Sequence, residues 1–236
     1  MTSTAELSFG QERIWLLEQL LPGKLTHHLT LAYEIRGPLD PAVLSRAAQA
    51  VVERHAPLRT TFHERDGQPY FTVHDTAPPV LRVVPLASFD EWAGRAEAEI
   101  GAEFDLSRLP LLRMTLFPIA DDHHVLLVVV HHIVSDGASL VVLVDELSDA
   151  YAALLERGRW LPADLPTTYQ RHVEQERTAF ADGAWASAEP TAAQQSNTPA
   201  TNLTDKPTMR PLRASRRCMR VPPTILNFPG NDSCTS

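Results

Sequence analysis

The sequence predicts an α/β fold of the α+β kind: an open mixed β-sheet with helices packed on it. Three observations lead there. Segments with helical and strand patterning alternate up to about Ala186, which favours helices layered on a sheet. Val125-Leu126-Leu127-Val128-Val129-Val130 is a continuous apolar run, the pattern of a strand buried on both faces. Of the 236 residues, 44% are hydrophobic and 21% charged, enough apolar material for one sizeable core.

The elements follow in order. Ser8 with Gln11 three residues later has the capping-box arrangement, so a helix runs from about Phe9 to Leu20, with Trp15 and Leu16 on its core side. His27-His28 lies in a Gly-containing connection and reads as an exposed loop before a strand near Leu29 to Arg36. Asp40-Pro41 opens a second helix that extends to about His55. Arg59 to Glu64 and Pro69 to His74 are strand candidates joined by the turn signal Asp66-Gly67, and Leu81 to Val84 is a third. A helix near Phe89 to Glu103 precedes a strand near Met114 to Ile119. Asp121-Asp122-His123-His124 then reads as a solvated hairpin turn before the buried run, and a helix near Ser139 to Arg157 completes the set.

His131-His132-Ile133-Val134-Ser135-Asp136-Gly137 sits where the buried strand leaves the core. Successive strand side chains point to opposite sides, so only one of the two histidines serves a substrate and the other is structural. An imidazole, titrating near about 6.5, accepts a proton from an attacking amine or alcohol around neutral pH. That is acyl-transfer chemistry without a protein nucleophile. Asp136 falls in the turn, where a carboxylate either pairs with an arginine or orients the imidazole, and Gly137 supplies backbone freedom. No metal is expected, because adjacent strand residues diverge and no third close ligand of the zinc type is evident.

This pattern resembles the active-site signature of nonribosomal peptide synthetase condensation domains, which share the chloramphenicol acetyltransferase-like fold. Two further stretches are similar to that family's motifs in the right order: Ser8-Phe9-Gly10-Gln11-Glu12-Arg13-Ile14-Trp15-Leu16-Leu17, and Arg54-His55-Ala56-Pro57-Leu58-Arg59-Thr60-Thr61-Phe62. Thr168-Tyr169-Gln170-Arg171-His172-Val173-Glu174 resembles its tyrosine-containing helix after the active site. The resemblance spans residues 6–177 and identifies them as an amino-terminal lobe, a half-domain. It implies that His132 positions or deprotonates the amino group of an acceptor aminoacyl thioester, while His131 holds the loop. It implies that Asp136 is a structural carboxylate paired with Arg59, and that the Gly137 N–H contributes to the oxyanion site. Ala138 stands where the family often carries tryptophan.

What the resemblance implies about function is peptide (amide) bond formation between carrier-protein-bound aminoacyl or peptidyl thioesters. The motifs favour a peptide-forming member over an epimerisation member. The alternatives are an ester-forming acyltransferase of the same superfamily and a non-catalytic fragment that docks to carrier protein. No cofactor is bound directly; substrates arrive on the 4'-phosphopantetheine of peptidyl or acyl carrier proteins. The implied partners are those carrier proteins, together with a complementary carboxy-terminal condensation lobe or an adenylation module.

The net charge of -8 argues against a general nucleic-acid binder. No apolar run reaches membrane-spanning length, and Met1 to Glu6 lacks the features of a signal peptide, so a cytoplasmic location is expected. Cys218 and Cys234, without CxxC spacing, suggest neither a metal nor a redox site. Residues 187–236 are rich in Pro, Thr, Ser, Asn and Arg and carry six basic against three acidic residues. They read as an irregular or disordered tail with no apolar periodicity for a core of its own. Leu203-Thr204-Asp205-Lys206-Pro207 resembles the crossover into the family's second lobe, of which no later motif is found.

Overall fold

In a computed structural model, the structure describes residues 3–21, 25–86 and 91–183; the tail expected over 187–236 lies outside them. Strand β1 (Ser3–Glu6) leads into helix α1 (Phe9–Leu20). The capping box forms as the sequence predicts: Ser8 Oγ accepts from Gln11 N and Gln11 Oε1 accepts from Ser8 N, each at 3.1 Å. The core side of α1 differs in detail from the expectation. Ile14 is buried and Trp15 packs partly against the core, whereas Leu16 is exposed.

Then come β2 (His28–Arg36), α2 (Pro41–Arg54), β3 (Thr60–Arg65) and β4 (Gln68–Val73). Asp40 caps α2, its side chain accepting from Ala42 N and Val43 N. The β3–β4 turn uses Asp66 at φ 53° and Gly67 at φ 75°, the two left-handed positions that a tight two-residue hairpin requires. The remaining elements are β5 (Leu81–Val83), α3 (Trp92–Gly101), β6 (Leu112–Ala120), β7 (His123–His131), α4 (Gly137–Arg157) and α5 (Tyr169–Ala181).

The strands divide between two sheets. An antiparallel sheet has the order β1-β4-β3, and a mixed sheet has the order β2-β7-β6-β5, its β5–β6 pair being parallel. Strand β7 is central in the mixed sheet, and its apolar run is buried on both faces. Leu126, Val128 and Val130 enter the main core with α2 and α4, while Val125, Leu127 and Val129 meet Ala96 and Ile100 of α3. His123 and His124 belong to this strand, in register with Arg36 and Ile35 of β2. The sequence reading of a solvated turn there is corrected: only Asp121 and Asp122 turn, and His124 is buried. Among the described residues, no helix is long and apolar enough to cross a membrane.

Candidate active site

Strand β7 ends at His131, opposite His28 at the start of β2, and the chain then turns through residues 132–135 before Asp136 caps α4. The turn is held from several sides. His132 N donates to His27 O at 2.7 Å and Gln11 Nε2 of α1 donates to Ile133 O at 3.1 Å. Helix α1 is in turn fixed by α5, where Tyr169 Oη lies 3.0 Å from Ser8 Oγ and Arg177 Nε donates to Leu7 O at 2.8 Å.

The two histidines stand in different environments. His131 is buried; its Nδ1 accepts from Ile133 N at 3.2 Å and its Nε2 lies 3.4 Å from Glu18 Oε1. Burial lowers its pKa to about 4, the largest influence, against which the Glu18 carboxylate pulls upward. It is therefore a neutral ring bearing its proton on Nε2. His132 is half-buried, and its Nδ1–H donates to Ser135 O at 2.8 Å. That bond fixes the tautomer and leaves Nε2 with a lone pair, as a proton acceptor requires.

The ion pair expected between Asp136 and Arg59 does not form. Asp136 is exposed and caps α4, its Oδ1 accepting from Ser139 N and Ser139 Oγ, each at 2.7 Å. These hydrogen bonds hold its carboxyl below the usual range. Arg59 turns instead to the β4 end, where Nη1 donates to His74 O. The cap satisfies the carboxylate locally, which leaves no buried charge needing a guanidinium. What ties the Arg54–Phe62 motif to the active-site side of the fold is Glu146 of α4, which takes Arg54 Nε at 3.1 Å and His55 Nε2 at 2.6 Å. Asp136→Ala is accordingly expected to cost about 1 kcal/mol, the usual value of a helix cap, and not the roughly 3–5 kcal/mol of a broken buried pair. Urea denaturation of the variant, alone and with Arg59→Ala, decides between them, because the cap reading requires the two losses to add.

Gly137 is the first residue of α4 and is not among the positive-φ residues, so the backbone freedom expected of it is not used. It does offer space. A Cβ at this position would meet no atom within 4 Å, while Ser139 N and Leu140 N of the first turn are taken by Asp136. A cavity of about 160 Å³ lies between Pro57, Leu58, Ser135 and Leu143, smaller than the about 300 Å³ lower bound for small-molecule sites. Sequence reasoning missed Glu18 and Glu146, and its exposed loop at His27-His28 is corrected: His27 is sheltered against Glu18 and His28 opens β2, contacts that arise only where separate elements meet.

The chain matches the family described as Condensation domain over residues 1–190. It is 38% identical over 186 residues to a linear gramicidin synthase of Brevibacillus parabrevis, a match covering 76% of this chain and 4% of that protein. The first condensation domain of the CDA synthetase aligns with a TM-score of 0.70 and 28% identity, over 78% of this chain and 47% of that one. The X-domain solved with OxyB from teicoplanin biosynthesis gives 0.70 and 31%, over 76% of this chain and 39% of that one. The chain belongs to the condensation-domain family of nonribosomal peptide synthetases, with the chloramphenicol acetyltransferase-like fold. It spans less than half of either solved chain and a few per cent of the gramicidin synthase.

Proposed function

We propose that residues 6–177 are the amino-terminal lobe of a condensation domain that forms an amide bond between two carrier-bound thioesters. The observation that carries this reading is the His132 Nδ1–H bond to Ser135 O, which leaves Nε2 as the acceptor atom. The acceptor's amine attacks the donor's thioester carbonyl, and its proton passes to His132 Nε2. The tetrahedral oxyanion meets the Gly137 N–H, at the positive end of α4. Collapse forms the amide and breaks the C–S bond, and the departing phosphopantetheine thiolate takes the proton back from His132. His131 does no proton transfer here; it holds the turn through Ile133 N.

The test supplies the full chain with a separately expressed carboxy-terminal half of a condensation domain and with loaded donor and acceptor carrier proteins. Mass spectrometry should find a dipeptidyl thioester on the acceptor carrier, dependent on this chain. Transfer only to a hydroxyacyl acceptor would assign ester formation instead. Carrier binding without any product would leave a docking role in place of catalysis.

A further inference from the structure

Among the described residues, one group of three side chains has the make-up of a metal centre: Glu18, His27 and His131, whose potential ligand atoms all lie within 4.8 Å of one another. They come from α1, from the turn before β2 and from the end of β7. Glu18 Oε1 lies 2.6 Å from His27 Nδ1 and 3.4 Å from His131 Nε2, so one carboxylate oxygen faces two imidazole nitrogens. The side chains are 18%, 14% and 3% exposed in that order, sheltered enough to be held in place and open enough to be reached.

We propose that Glu18, His27 and His131 form a binding site for a divalent transition-metal ion of the zinc class. Two imidazoles and one carboxylate are the ligand set of open zinc sites with a free fourth position, and two nitrogens disfavour magnesium and calcium. A bound ion takes the place of the two ring N–H groups that face Glu18, and each neutral imidazole then carries its proton on its other nitrogen. The 2.6 Å contact then opens toward the spacing set by metal–ligand bonds of about 2.0–2.2 Å. His28 is not one of the three converging side chains: its Nδ1–H donates to Ile100 O at 3.0 Å, and its ring centroid lies 6.0 Å from that of His131.

The site is coupled to the turn that carries His132. With the ion on Nε2 of His131, the ring proton moves to Nδ1, which then faces Ile133 N–H and no longer accepts from it. The ion and the resting turn compete for one imidazole, so occupancy loosens residues 132–135.

Tag-free full-length chain is titrated with Zn²⁺ by calorimetry and with Co²⁺ by visible absorption. One ion per chain is expected, with the intense bands of four- or five-coordinate Co²⁺ and faster hydrogen exchange at the Ile133 amide. His27→Ala and Glu18→Ala should weaken Zn²⁺ by more than the roughly 10–100-fold that loss of an outer partner costs, while His172→Ala on the surface of α5 changes nothing. If Glu18→Ala does not fold, His27→Gln decides, because it leaves Glu18 and His131 in place. Unchanged affinity in the His27 variants, or only the pale octahedral Co²⁺ spectrum, overturns the site.

Discussion

Replacing His132 by alanine is expected to reduce amide formation in the carrier-to-carrier assay by about 100- to 10,000-fold, the usual contribution of a positioned proton acceptor. The fold should tolerate the change. The ring is half-buried and its one side-chain hydrogen bond is to Ser135 O, a loss of about 1 kcal/mol. The turn keeps its remaining supports, His132 N to His27 O and Gln11 Nε2 to Ile133 O. Thermal melting of the variant beside the parent separates the two effects. Undiminished product with a lowered melting temperature would reverse the roles given to His131 and His132.

Acidification should destabilise the chain, and His131 should carry the largest share. Its pKa in the folded state, about 4, lies below the ordinary imidazole value of about 6.5 because burial disfavours the charged ring. Between those values the unfolded chain holds a proton that the folded chain does not. Stability is therefore complete above about pH 6.5, falls as the pH is lowered, and levels off near pH 4 after a loss on the order of 3 kcal/mol. Burial shifts His28 and His124 in the same direction. Urea midpoints measured from pH 7 to pH 4 should show this slope, and His131→Gln should flatten it while lowering stability at pH 7. A variant that keeps the parent slope would place the acid sensitivity elsewhere.

Elements whose cause is local were legible in the sequence. The capping box of Ser8 and Gln11, the Asp40-Pro41 helix start and the Asp66-Gly67 turn each depend on a few adjacent residues, and each formed as read. The apolar run of β7 announced burial on both faces. His123 and His124 were misjudged because a polar residue next to two aspartates looks solvated, whereas pairing with β2 carries the strand through them. Strand β1 was not foreseen; four residues of STAE have no strand signature without β4 beside them. The site divides in the same way. The histidines stand out by composition, but the arginine pairing expected of Asp136 ignored the competing local cap from Ser139. Glu18 and His27 reach His131 only because α1, β2 and β7 converge, which no spacing along the chain reveals.

The grip of α5 on α1 sets an order of events during synthesis. Ser8 and Tyr169 are separated by 161 residues, and Arg177 and Glu176 hold Leu7 O and Phe9 N across similar distances. At about 5–20 residues per second, the ribosome delivers the second partner about 10–30 s after the first. Throughout that interval α1 lacks its clasp, and the turn bearing His132, once made, has Gln11 beneath it without Tyr169 behind. Nascent chains halted just before Tyr169 should accordingly exchange the Phe9 amide rapidly, and chains halted beyond Phe180 and clear of the exit tunnel should protect it; equal protection in both would show that α1 seats itself unaided.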